Sequence, residues 1–80
     1  MNKEKLLIIT MEECGELTQA CSKVLRHGFV QQKHIQNLHE ELGDVVAMTR
    51  LLQKHYDISD ETLETYVAKR NLKMQGAEYE

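Results

Sequence analysis

Two short segments, Glu12-Glu13-Cys14-Gly15-Glu16 and Glu40-Glu41-Leu42-Gly43-Asp44, repeat one pattern of acid, acid, apolar residue, glycine and acid. Each segment lies in a stretch whose apolar residues recur at helical spacing. Residues three apart share one side of a helix. The two segments therefore predict two helices that each carry a pair of acids on the side with the apolar residues.

The sequence around these segments predicts three helices and no strand. The first runs from about Lys3 to His27, because basic residues in the last turn followed by Gly28 are typical of a helix end. The second runs from about Lys33 or His34 to His55. The third follows Ser59, a residue type favoured at the N-cap, and continues to about Met74.

With 80 residues and no proline, the chain is expected to form a single domain over residues 1–80, with a frayed tail at 76–80. The predicted fold class is all-α. We expect a bundle of about three helices per chain, assembled into a four-helix-type core by oligomerisation. A core of this size supplies only about 3–5 kcal/mol, so a metal or a partner subunit is expected to help.

Disulfide bonds are not expected. Cys14 and Cys21 lie two turns apart on the first helix, about 10 Å, which is too far for a bridge within one chain. Reduced cysteines are typical of a cytoplasmic protein, which is the predicted location.

Composition argues against two classes of partner. The four strongly apolar residues at 6–9 are too few for a signal-peptide core or a membrane span. The net charge of −3 and the scarcity of aromatic residues do not favour binding to a nucleic-acid polymer.

A helical wheel places the acids relative to the apolar stripes. At about 100° per residue, Glu13 lies on the midline of the first stripe, and Glu16 lies roughly 60° to one side. On the second helix, Glu41 lies on the midline of the apolar stripe and Asp44 lies at its border. Asp44 is offset from Glu41 in the same rotational direction as Glu16 is from Glu13. The stripe members are Leu6, Ile9, Leu17, Ala20 and Val24 on the first helix, and Leu38, Val45, Met48 and Leu52 on the second. Antiparallel packing of the two stripes would bring the two acid pairs together.

Such a cluster of acids requires compensation. Two like charges about 4 Å apart repel by roughly 4 kcal/mol at an effective dielectric constant near 20. Carboxylate oxygens suit a hard divalent cation, so the sequence predicts a Mg²⁺ site, with Mn²⁺ as an alternative. Gly15 and Gly43, which are costly in helix interiors, are expected to make room for close helix packing or for a ligand.

At these residues the chain resembles the MazG-like all-α nucleoside triphosphate pyrophosphohydrolases, in particular short, phage-type members. The family signature is EExxE followed, after a spacer, by ExxD. It corresponds here to residues 12–16 and, 24 residues later, to residues 41–44. The residues at 19–26 and 40–46 are also similar to those of the family, and the resemblance covers about residues 5–75.

The resemblance implies cleavage of a nucleoside triphosphate between the α and β phosphates, giving a monophosphate and pyrophosphate. By carry-over, the metal ligands would be Glu13, Glu16, Glu41 and Asp44, and Glu12 would orient or deprotonate the attacking water. Cations for the phosphates would come from Lys23 and Arg26 on the first helix and from Lys69, Arg70 and Lys73 on the last. The chain lacks the extra helices of longer members, so a partner subunit in a homodimer or homotetramer would supply the missing walls.

Two alternatives remain open at this point. The chain could be a non-catalytic, dimeric helical interaction or regulatory protein, or a relative of the phosphoribosyl-ATP pyrophosphohydrolases, which have similar paired acids. A zinc site at His34 and His39 is disfavoured, because five residues along a helix turn these side chains roughly 140° apart.

Overall fold

The computed structural model describes residues 1–76, and within them the chain forms three helices and no strand. Helix α1 spans Lys3–His27, α2 spans Gln32–Tyr56 and α3 spans Asp60–Met74. The all-α prediction is confirmed, and the predicted helix bounds are correct to within one or two residues. Most of the predicted frayed tail, from residue 77 onward, lies outside the described residues.

Local interactions define the ends of the helices. The side chain of Asn2 accepts a hydrogen bond from the Lys5 amide at 2.7 Å, which caps the start of α1. Gly28 ends α1 with a positive φ of 92°, a conformation that few other residues adopt. Ser59 caps α3 by accepting a hydrogen bond from the Thr62 amide at 3.0 Å, as the sequence predicted.

Helices α1 and α2 form an antiparallel hairpin. At one end, Lys3 Nζ of α1 lies 5.0 Å from the centroid of the Tyr56 ring of α2. At the other end, His27 of α1 stacks on His34 of α2. Contacts at both ends show that the two helices run side by side over their whole length.

The predicted apolar stripes face each other in this hairpin. The buried residues are Leu6, Ala20, Val24 and Met48, all of them stripe members. The other stripe residues are half-buried: Ile9, Leu17, Leu38, Val45 and Leu52. The helical wheel therefore identified the core correctly, although the core is small.

Helix α3 stands apart from the hairpin. Gln53 of α2 holds its start, donating one hydrogen bond to Asp60 Oδ1 at 2.9 Å and one to the Ile58 carbonyl at 3.2 Å. None of the described residues of α3 is buried. Apolar side chains such as Tyr66 and Leu72 are 64 % and 69 % exposed, so much of the apolar surface of this helix is open to solvent within the described part of the chain.

The molecule is thin. Its principal-axis extents over the described residues are 39 × 33 × 15 Å. Many large apolar side chains are exposed, among them Met11, Leu25 and Val30. None of the three helices combines the length and the apolar character needed to cross a bilayer, among the residues described.

Candidate functional site

Three acids from both helices of the hairpin converge at its surface. Glu13 of α1 and Glu41 and Asp44 of α2 each offer a carboxylate oxygen, and these oxygens lie within 4.8 Å of one another. We call these three residues the acid cluster. Its two α2 members are three positions apart, so they project from neighbouring turns of one helix face.

One oxygen of the acid cluster lacks a partner. Glu41 Oε2 is buried and accepts no hydrogen bond from any described residue. A buried polar atom without a partner is destabilising, and nearly all such atoms in folded proteins are satisfied by protein, water or an ion. The position of this oxygen therefore favours a bound ligand that is positively charged or donates a hydrogen bond.

The negative charge of Glu13 is likewise not offset by a neighbouring positive charge among the described residues. Its pKa is raised above the ordinary value, first because partial burial disfavours the charged form. The negative charges of Asp44, Glu41 and Glu16 raise it further, and so does a hydrogen bond with the Asp44 side chain.

Glu41 shows a similar shift with one opposing contribution. Burial raises its pKa most, followed by the charges of Asp44, Glu16 and Glu40, whereas the positive charge of Lys23 lowers it. The surroundings therefore disfavour the charged forms of both midline acids, and a bound cation would favour those forms.

The helical wheel predicted the relative burial of the four acids correctly. The midline acids, Glu13 and Glu41, are half-buried, whereas the border acids, Glu16 and Asp44, are exposed. The structure brings Asp44 into the acid cluster but leaves Glu16 outside the group of oxygens within 4.8 Å. Glu16 still acts on both midline acids through its charge. Its assignment as a metal ligand stays a prediction.

The remaining predicted residues of α1 lie along the same hairpin. Glu12 is exposed next to Glu13, a position open to solvent water. Lys23 is half-buried and close enough to Glu41 to act on its pKa. Arg26 is exposed one turn further along α1. Lys23 is thus the predicted cation that the fold brings to the acid cluster.

Among the described residues, the predicted cations of α3 are not among the groups that shift the pKa of Glu13 or Glu41. Lys69, Arg70 and Lys73 are all exposed on a helix that the hairpin does not bury. The groups that shift the pKa values of Glu13 and Glu41 come from α1 and α2 alone. Their role in binding substrate stays a prediction.

The two helix glycines do not serve packing within the chain. A Cβ atom built at Gly15 or Gly43 would meet nothing within 4 Å. The expectation that they allow close packing of α1 on α2 is therefore wrong, because both face open space. Room for a ligand or for a second subunit remains as the reason for a glycine at these positions.

Sequence reasoning overlooked the contribution of Glu40. Its charge raises the pKa of Glu41, so it belongs to the electrostatic environment of the site. The signal was present in the sequence, since both acidic segments begin with two adjacent acids.

The donor set of the acid cluster fits Mg²⁺ or Mn²⁺. All the candidate ligands are carboxylate oxygens, which these hard cations prefer. The partnerless Glu41 Oε2 and the raised pKa values of both midline acids indicate that the cluster lacks positive charge. Asp44 is exposed and Glu13 and Glu41 are half-buried, so the cluster lies at the surface, and the described residues form no pocket around it.

Comparison with known families places the chain in the range of a known domain. The family model described as the MazG nucleotide pyrophosphohydrolase domain matches residues 1–75, which include both acidic segments and all three helices. No curated protein and no solved structure matches the chain.

Proposed function

This chain belongs to the MazG nucleotide pyrophosphohydrolase domain family, and we propose that it is a Mg²⁺-dependent enzyme that hydrolyses nucleoside or deoxynucleoside triphosphates to monophosphate and pyrophosphate. The observation that carries the proposal is the convergence of Glu13, Glu41 and Asp44 from two helices around a buried, partnerless carboxylate oxygen. The family match supports the reaction class, and the acid cluster supports the need for a divalent cation.

The residues of the site divide into two roles. Glu13, Glu41 and Asp44 would hold Mg²⁺, with Glu16 joining them from the exposed border of α1. When bound, the ion would supply positive charge to offset that of the phosphates and to activate water. Glu12 lies next to Glu13 and faces solvent, so its carboxylate can accept a hydrogen bond from the attacking water and orient it towards the α phosphorus.

Basic side chains position the phosphate chain. Lys23 is the best placed of them, because its charge already acts on Glu41. Arg26 lies one turn beyond it on α1. The α3 cations Lys69, Arg70 and Lys73 contribute only if α3 reaches the acid cluster of a second subunit, since it stands apart from its own hairpin.

We further propose that the active form is a homodimer or homotetramer. The exposed apolar side chains of α3 and the absence of a cavity within the described residues both favour a second copy that covers α3 and supplies walls for the nucleotide. The free Cys14 and Cys21 suit the cytoplasm, where nucleotides are found and thiols remain reduced.

The test is a substrate panel with matched variants. Wild-type protein, Glu41→Gln and the control Glu64→Gln, which removes an exposed acid of α3, are incubated with Mg²⁺ and each of the standard nucleoside and deoxynucleoside triphosphates. The products are assayed as monophosphate and pyrophosphate. We expect wild type and Glu64→Gln to release pyrophosphate at similar rates, and Glu41→Gln to lose at least about 100-fold in rate, with unchanged helicity by circular dichroism.

Two results would contradict the proposal. Full turnover by Glu41→Gln would remove the acid cluster from the chemistry. A folded wild-type protein that releases no pyrophosphate from any triphosphate would favour a non-catalytic interaction protein. Phosphoribosyl-ATP is included in the panel, and its selective cleavage would assign the related pyrophosphohydrolase activity instead.

A further inference from the structure

The turn between α1 and α2 holds a pair of stacked histidines. The rings of His27, the last residue of α1, and His34, in the first turn of α2, are nearly parallel, with centroids 4.6 Å apart and planes 13° apart. The stack spans the short connection that joins the two helices.

Among the described residues, the charges that shift the pKa of His34 in this stack are all positive. The pKa of His34 lies below its ordinary value, first because partial burial disfavours the imidazolium. It is lowered further by the positive charges of His27, Lys33, Lys23 and Arg26. These groups come from both helices, and no acid is among them.

The sequence explains this one-sided charge. Between Glu16 and Glu40 the chain contains neither aspartate nor glutamate, although acids outnumber Lys and Arg by 13 to 10 in the whole chain. The same stretch holds three permanent cations, Lys23, Arg26 and Lys33, besides the stacked histidines. We call these five residues the basic cluster. Its charge is predominantly positive, whereas that of the acid cluster is negative.

The start of α2 adds to the positive potential. Its N-cap residue, Gln31, makes no capping hydrogen bond through its side chain, and the first turn contains no acid. Helix N-termini are normally satisfied by such groups, and they favour anions when these are missing.

The basic cluster lies within reach of the acid cluster. His34 precedes Glu41 by seven residues on α2, which corresponds to about 10 Å along the helix axis. Lys23, a member of the basic cluster, acts on both His34 and Glu41 through its charge and so links the two clusters. A phosphate chain that starts at the acid cluster can therefore continue towards the turn of the hairpin.

We propose that the basic cluster is a phosphoanion site that receives the β and γ phosphates of the substrate and holds the pyrophosphate product. This inference rests on the proposed function and adds His27, His34 and Lys33 to the binding residues. It also gives the substrate a direction, with the pyrophosphate portion towards the turn between α1 and α2 and the nucleoside towards the other end of the hairpin.

The site couples binding to protonation. A phosphoanion beside His27 and His34 favours their charged forms, because it offsets the repulsion from Lys23, Arg26 and Lys33. Binding of pyrophosphate should therefore be accompanied by proton uptake near neutral pH, and it should weaken as the pH rises above the ordinary histidine value of about 6.5.

The first experiment measures binding without catalysis. The pKa values of the four histidines are determined by NMR from their ring resonances, in metal-free protein, with and without sodium pyrophosphate. We expect the pKa values of His27 and His34 to rise by about 0.5–1 unit in a saturable manner, whereas that of His55, at the far end of α2, stays unchanged. Sodium sulfate at equal ionic strength serves as the control for general screening. No rise, a non-saturating rise, or an equal rise with sulfate would overturn the proposal.

The second experiment measures the effect on turnover. His34→Gln removes the titratable ring, and His55→Gln is the matched control. We expect His34→Gln to raise KM for a triphosphate by about fivefold, with kcat changed less than twofold. This is the pattern for a residue that binds the substrate and the transition state equally well. His34→Arg should restore KM and remove its pH dependence between pH 6 and 8, which a structural role in the stack would not do.

The two experiments separate the inference from the proposed function. A wild-type enzyme that hydrolyses triphosphates but shows no histidine response to pyrophosphate would overturn the inference alone. A protein that binds pyrophosphate at the stacked histidines but cleaves no triphosphate would overturn the function and leave the anion site in place.

Discussion

Glu13 on α1 and Asp44 on α2 bring carboxylate oxygens within 4.8 Å of each other across the helix interface. After burial, the negative charge of Asp44 is the largest contribution that raises the pKa of Glu13. A divalent cation held between the two helices would offset this repulsion, because it favours the charged forms of the carboxyl groups.

The first prediction concerns the dependence of stability on pH. An acid whose pKa is higher in the folded state than in the unfolded state binds more protons when folded, so its contribution to stability declines as the pH rises from about 4.5 through the raised value. In EDTA, Glu41→Gln should melt at a higher temperature than wild type at pH 7.5, and the difference should shrink towards pH 4.5. Thermal melts followed by circular dichroism at several pH values test this.

The prediction compares wild type with Glu41→Gln because His34 changes the stability with pH in the direction opposite to that of the two acids. Its lowered pKa means that the folded state binds fewer protons, so its contribution to stability grows as the pH rises towards 6.5. This contribution is present in both proteins and cancels in the difference. A wild type more stable than Glu41→Gln at pH 7.5 without metal would contradict the prediction.

The second prediction concerns Mg²⁺. A ligand that binds only the folded state stabilises it by mass action, and a free concentration of ten times Kd gives about 1.4 kcal/mol. For a domain of this size this corresponds to a rise in Tm of about 6–11 °C. The rise should be absent in Glu41→Gln and retained in Glu64→Gln. An unchanged melting curve for wild type at millimolar Mg²⁺ would exclude a functional metal site at the acid cluster.

The third prediction concerns the two helix glycines. A Cβ atom at Gly15 or Gly43 would lie in open space, so alanine should improve helix propensity without a clash. Each of Gly15→Ala and Gly43→Ala should stabilise the isolated chain by about 0.5–1 kcal/mol in urea unfolding. A loss of stability that depends on protein concentration would instead show that a second copy packs against the glycine.

The fourth prediction concerns the start of α3. Ser59 caps the helix through its side chain. Besides this cap, the first turn of α3 is held by the hydrogen bond from Gln53 of α2 to Asp60. Ser59→Ala should cost about 1 kcal/mol and increase amide hydrogen exchange at residues 60–63, whereas Ser59→Asp should preserve the cap. Equal protection in Ser59→Ala would show that packing, rather than capping, fixes this end of α3.

The sequence by itself determined the helices and their acidic faces. Gly28 and Ser59 marked the helix boundaries through local backbone chemistry, which requires no knowledge of the rest of the fold. The burial of Glu13 and Glu41 relative to Glu16 followed from helical periodicity, because position around a helix axis depends only on spacing along the chain.

Only the tertiary structure decided which side chains meet. The grouping of Glu13 with Asp44, the stacking of His27 on His34 and the burial of Glu41 Oε2 all depend on how far α1 is shifted along α2. The separation of α3 from the hairpin depends on the backbone conformation of residues 57–59, which connect α2 to α3. Periodicity fixes angles around one helix, but the axial register and crossing of two helices come from how their side chains interlock, which no single segment encodes.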